Sequence, residues 1–157
     1  MFHISDESFL ENLIKNNWVL FYLNRENTFL KVTSQIISKN NSYHVENNSK
    51  LESFKKVKID ISDLDFRIEK ILNSNEKELD LLKNIIHKKI IYEKDLLNEK
   101  DRDRTMKDCL EYLNYPYYKL STPLVKIQNN WKNFIINHDE IYRHIEKKWP
   151  NLISDLT

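Results

Sequence analysis

A chain of 157 residues without a single glycine must build every helix end and tight turn from residues that carry a Cβ. Left-handed backbone is cheap for glycine and next cheapest for asparagine, whose short amide bonds locally. The sequence is rich in Asn, and Asn is therefore predicted to close the helices and turns. Alanine is absent too. Gly and Ala codons are GC-rich, so their joint absence points to an AT-rich genome. The same absence excludes Gly-dependent phosphate cradles: neither a Walker A loop nor a dinucleotide fingerprint can be written. No cofactor is implied.

The heaviest apolar stripe runs from Thr122 to Pro150. Leu124, Ile127, Trp131, Phe134, His138, Ile141 and Ile145 follow at steps of three and four, and Trp149 comes four later. That spacing predicts one face of a helix, started by Thr122 and Pro123 and stopped before Pro150, with a break near Asn137, which can cap a second segment with Glu140. The stripe either closes an internal core or seats the matching helix of a second copy, so a homodimer is one expectation.

At the other end, Ser5, Asp6 and Glu7 read as a helix start, with Phe9, Leu10, Leu13 and Ile14 inside and Asn16-Asn17 as the stop. Trp18 to Leu23 is an apolar run of strand length. Asn24 to Asn27 reads as a hairpin loop and Thr28 to Ile37 as the return strand, with Leu30, Val32 and Ile36 on one face. A short strand is expected at Tyr43 to Glu46. Phe54 to Ile61 alternates cleanly, Val57, Ile59 and Ile61 against Lys56, Lys58 and Asp60, as a half-exposed antiparallel strand does.

From Ser62 the period becomes helical. Ser62 is the predicted cap of a helix carrying Leu64, Ile68, Ile71 and Leu72. Asn75 with Glu78 caps the next, which runs through Leu79, Leu82, Ile86 and Ile90 to about Leu97. Asn98 to Arg104 reads as a connector, and Thr105 with Asp108 starts a short helix that ends at Asn114 to Tyr118. The expected fold class is α+β: a small antiparallel meander of three or four strands after an N-terminal helix, then a helical C-terminal half of four or five helices. Residues 1–157 form a single domain in this reading, with helix and meander in 1–61 and the helical part in 62–157.

Lys and Arg number 25 against 24 Asp and Glu, a net charge of +1. Such balance offers no general field for nucleic acid or an acidic membrane. The single Cys109 allows neither an internal disulfide nor a thiolate zinc cluster. No apolar run reaches membrane-spanning length, and the start lacks the basic and apolar regions of a signal peptide, so a cytoplasmic protein is expected.

Four constellations carry possible chemistry. His138, Glu140 and His144 are candidate metal ligands, although only Glu140 and His144 share a helix face. Asp60, Asp63 and Asp65 resemble the acidic part of a magnesium nuclease site without its Glu-x-Lys. Lys55, Lys56 and Lys58, with Tyr43 or His44 nearby, resemble a single-strand-binding sheet face. Tyr112, Tyr115, Tyr117 and Tyr118 form a tyrosine-rich corner, preceded by Asp95, Glu99, Asp101 and Asp103, and suit a protein partner. Cys109 sits in register with Met106 and Leu113, as a small buried hydrophobe does. Elimination leaves a non-enzymatic cytosolic protein that occludes another protein, a toxin or defence effector, in the manner of immunity proteins and phage-encoded inhibitors. The alternatives are a nucleic-acid-binding accessory protein and a metal-dependent hydrolase or nuclease.

Overall fold

The computed structural model describes residues 6–41, 55–119 and 131–153. Among the described residues 67% are helical, and the sheet is a two-stranded parallel one in place of the expected antiparallel meander. In chain order the elements are α1 (Asp6–Lys15), β1 (Phe21–Asn24), α2 (Thr28–Asn41), α3 (Ile61–Leu82), β2 (Lys88–Ile91), a π-helical turn (Tyr92–Leu96), α4 (Glu99–Tyr112), a 3-10 turn (Trp131–Phe134), α5 (His138–Lys148) and a last 3-10 turn (Pro150–Leu152). They fall into two compact units. The first comprises Met1–Glu26 and Ser74–Leu120, the second Asn27–Asn73 and Ser121–Thr157.

The largest correction is α2. Thr28 to Ile37 is helix, not a return strand. Its buried residues Phe29, Val32, Thr33, Ile36 and Ile37 are spaced 3-1-3-1, a helical stripe that outweighs the strand preference of its branched residues. The supposed hairpin loop supplies the cap: the Asn27 side chain accepts the Leu30 N–H at 2.8 Å.

The alternation at Val57 and Ile59 is real, but it yields an extended segment with one parallel bridge, Val57 to Ile135. Ile59 is bonded on both backbone groups by the Asn137 amide, at 3.0 and 2.9 Å. These contacts pull Ile135 out of helical geometry. The long C-terminal helix is thereby broken into the Trp131–Phe134 turn and α5, and Asn137 sits at the break. The stripe residues still go inside: Trp131, Phe134, Ile141 and Ile145 are buried with Phe29, Val32, Leu64, Ile68 and Ile135 in the core of the second unit. Thr122, Pro123, Leu124 and Ile127, and the expected strand Tyr43 to Glu46, lie outside the described residues.

Asp60, not Ser62, caps α3; its carboxylate accepts the Asp63 N–H at 3.0 Å and the Ser62 hydroxyl. No boundary falls at Asn75. Helix α3 continues to Leu82, with Ser74 bonded to Glu78 at 3.1 Å, and the segment read as its successor becomes β2 and the π turn. The expected connector at Asn98 is the first turn of α4, capped by the Asn98 side chain on the Asp101 N–H.

The helix ends follow the glycine argument. Asn17 and Asn114 are the left-handed residues among those described, at φ 57° and 56°. Each closes a Schellman motif, with Trp18 N–H on the Leu13 carbonyl at 3.0 Å and Tyr115 N–H on the Leu110 carbonyl at 2.8 Å. Replacing Asn114 by Val should lower stability by about 1–2 kcal/mol. Asn114→Gly should leave stability within ~0.5 kcal/mol. Thermal unfolding of the two variants checks both.

Candidate protein-binding surface

The site is built in the first unit, from α4 upward. A parallel strand pair forms because Phe21, Tyr22, Leu23 and Asn24 lie in register with Lys88, Lys89, Ile90 and Ile91. Side chains alternate, so Phe21, Leu23, Lys88 and Ile90 share one face, and Tyr22, Asn24, Lys89 and Ile91 the other. The second face meets α3, where the Tyr22 hydroxyl donates to Glu78 at 3.2 Å. Partial burial and that carboxylate push the Tyr22 phenol above its ordinary value. The first face meets the end of α4. Tyr112 packs edge-on against Phe21 at 5.6 Å, and the Lys88 ammonium reaches its ring at 5.7 Å and the Asp108 carbonyl at 3.2 Å.

The start of α4 is fixed by acids doing structural work. The Asp95 carboxylate accepts the Ile91 N–H at 2.6 Å, and its carbonyl accepts the hydroxyl of buried Thr105 at 3.1 Å. Asp101 pairs with Arg104 at 2.9 Å and with the capping residue Asn98. Glu99 is exposed and Asp103 half-buried. The tyrosines sit at the other end of the helix, about 20 Å from Glu99 at the α-helical rise. The structure therefore does not place the acids beside the tyrosines.

At that end Tyr112, Leu113, Tyr115, Tyr117 and Tyr118 are all exposed; so are Trp18 and Val19 before β1 and Phe21 and Leu23 on it, with Phe21 meeting Tyr112. A shallow, open depression of about 500 Å³ is lined by Lys107, Glu111, Asn114, Tyr115, Pro116 and Tyr117. The run from Trp18 to Leu23, read as a strand from its apolar character, leaves Trp18, Val19, Phe21 and Leu23 exposed. Its exposure could not be read from sequence, because it depends on how little of the sheet face α4 covers.

The other candidates resolve into local contacts. His144 Nε2 donates to Asp65 at 2.9 Å, Glu140 accepts from Asn137 at 3.1 Å, and His138 Nδ1 lies 2.9 Å from Asp139. These three side chains do not converge, and among the described residues no group of three His, Cys, Asp or Glu is arranged to hold a metal ion. Asp60 caps α3, Asp63 pairs with Arg67 at 2.8 Å, and Asp65 takes donors from α5. Lys55, Lys56 and Lys58 are exposed on the extended segment beside Val57, and Tyr43 and His44 lie outside the described residues. Burial pushes the Cys109 thiol above its ordinary value, against the pull of nearby Lys88, which disfavours the nucleophilic thiolate. Among the described residues, no helix is long and apolar enough to cross a membrane. In comparisons with known proteins, the chain matches no family model, no curated protein and no solved structure.

Proposed function

We propose that this chain is a cytoplasmic protein-binding module, a binder and not a catalyst, that occludes a partner protein in the manner of an immunity protein or a phage-encoded inhibitor. Its contact surface is the tyrosine-rich end of α4 with the neighbouring residues of β1. The partner class is a toxin or a defence effector.

One observation carries the reading. Among the described residues, every exposed large apolar side chain other than Phe66 and Ile136 belongs to the first unit, and Ile90 is the buried hydrophobic residue there. Contiguous exposed apolar surface marks an interaction site, and within that unit Phe21 against Tyr112 joins β1 to the tyrosine end of α4. Tyrosine suits the role, with large rigid area, two side-chain torsions and a hydroxyl that tolerates water before binding. A partner that also engages Glu99 and Asp103 must extend about 20 Å along α4.

The test is affinity purification from the host, comparing the wild type with Tyr115→Ala and Tyr117→Ala. One protein should co-elute in fixed ratio with the wild type. Each substitution should weaken the purified complex roughly 10- to 30-fold, the effect of losing a central aromatic anchor. A complex indifferent to both substitutions, or no stoichiometric protein at all, overturns the reading.

A further inference from the structure

The two-stranded sheet has an open edge, and its hydrogen-bonding parity says what fits it. The Lys88 N–H bonds to the Leu20 carbonyl at 2.9 Å. In a parallel ladder with Phe21 opposite Lys88, that bond assigns Leu20, Tyr22 and Asn24 to the side facing β2. The N–H and C=O groups of Phe21 and Leu23 therefore point away from β2. Among the described residues no hydrogen bond reaches those four groups. The outer edge of β2 is blunted, because Asp95 takes up the Ile91 N–H. On β1 none of the usual edge protections is present: no lysine, no proline, no bulge.

We infer that β1 is a self-pairing edge, and that a second copy of this chain adds to it antiparallel, about a twofold axis at Tyr22. In that register Phe21 faces Leu23 of the second copy and Leu23 faces its Phe21. Both are outward-bonding residues, so each pair exchanges two hydrogen bonds and all four open groups of each copy are satisfied at once. A register shifted by one residue leaves them unmatched. The side chains agree with the backbone. Phe21 and Leu23 lie on one sheet face at 38% and 59% exposure, and the pairing gathers them and their symmetry mates into one apolar cluster. Charge agrees as well. From Asn16 to Asn24 the chain carries no charged residue, so no like charges meet across the axis. Arg25, the next charge, is held by Glu93 at 3.3 Å and lies 4.9 Å from the Tyr92 ring centre. Four strands in one sheet also answer the weakness of two, which rarely suffice alone. The inference rests on the backbone edge of β1, whose Phe21 also borders the tyrosine surface through Tyr112; Tyr115→Ala and Tyr117→Ala leave that edge intact, so the two readings fail separately.

Light scattering after size-exclusion chromatography, over a range of protein concentrations, tests it. The wild type should move from monomer to dimer. Leu23→Pro removes an outward N–H that the ladder with β2 does not use, so circular dichroism should be unchanged while association weakens roughly 30-fold from two lost hydrogen bonds. Leu23→Lys keeps that N–H but places two lysines in the apolar cluster, and should also give a monomer. Register has its own readout. Tyr22→Cys in a Cys109→Ser background brings two cysteines opposite each other in a non-hydrogen-bonded pair, with Cα atoms about 4.5 Å apart, and should form an intermolecular disulfide under mild oxidation. A wild type that stays monomeric throughout overturns the inference, as does a dimer indifferent to both Leu23 variants with no cross-link through Tyr22→Cys. A heterocomplex abolished by Leu23→Pro, from a protein monomeric on its own, reassigns the edge to a partner's strand and overturns the second-copy assignment.

Discussion

Trp131→Ala should lower the stability of the second unit by about 3–5 kcal/mol, the range for deleting a large buried aromatic. Trp131 is buried in the core, and its ring meets Phe29 edge-on at 4.9 Å and 83°. Such a pair adds about 0.5–1.5 kcal/mol beyond the area it buries. The neighbours cannot close the gap easily. Trp131 lies on a 3-10 turn whose next residue, Ile135, is tied to Val57 by a bridge, and α5 is anchored by Asn137 on Ile59. The cavity therefore persists instead of collapsing. Native-state hydrogen exchange of amides in α2 and α5 measures the loss directly. Phe66→Ala is the control: Phe66 is 64% exposed, and its removal should cost no more than ~0.5 kcal/mol. Equal effects of the two substitutions would mean that Trp131 is not packed as described.

The second large effect belongs to Asp65. Its Oδ1 accepts from His144 at 2.9 Å and Trp149 at 3.0 Å, and its Oδ2 from Lys148 at 2.8 Å. One carboxylate thus fastens three residues of the α5 end to α3. Partial burial pushes the carboxyl up, but the hydrogen bonds from Lys148, Trp149 and His144 outweigh it and hold the group at about 2, against 3.8 for the free side chain. A folded value below the unfolded one means stability that is fully present above about pH 4 and is lost as pH falls through 2. The shift corresponds to about 2 kcal/mol, fewer after screening at the solvent edge. Asp65→Asn keeps one acceptor but turns the other atom into a donor facing the Lys148 ammonium. The variant should be about 1–3 kcal/mol less stable than the wild type at neutral pH. That gap should close as the solution is acidified toward pH 2, and urea unfolding across this window shows whether it does. A gap independent of pH would place the effect in packing, not in charge.

What could be read from sequence was what depends on neighbours in the chain. Asn17 and Asn114 close their helices as glycine would, because a left-handed residue needs only a tolerant side chain. Leu64 and Ile68 are buried on α3, and Trp131, Phe134, Ile141 and Ile145 enter the core as their spacing implies. Helix α2 was misread as a strand: 29, 32, 33, 36 and 37 is a helical interval set, but its branched residues favour strands. What depends on distant residues was not legible. Phe21 pairs with Lys88, far away in sequence, and Ile135 leaves helical geometry because Val57 holds it. The site followed the same division. The tyrosine cluster around Pro116 could be read from the sequence and is exposed, while the separation of Glu99 and Asp103 from it appeared only once Asn98 was seen to open α4.

The order in which the strands are synthesised has its own consequence. β1 ends at Asn24 and β2 begins at Lys88, so roughly sixty residues must be translated between them. At about 5–20 residues per second, β1 waits several seconds for its partner. For that interval the uncharged, aromatic run from Trp18 to Leu23 stands with both edges unpaired on a nascent chain, and neighbouring ribosomes on one message hold identical runs close together. A segment able to pair with its own copy in the finished protein is then also its main route to premature aggregation. Translation speed over residues 25–87, and chaperone contact with 18–24, should govern how much of the chain reaches its native state.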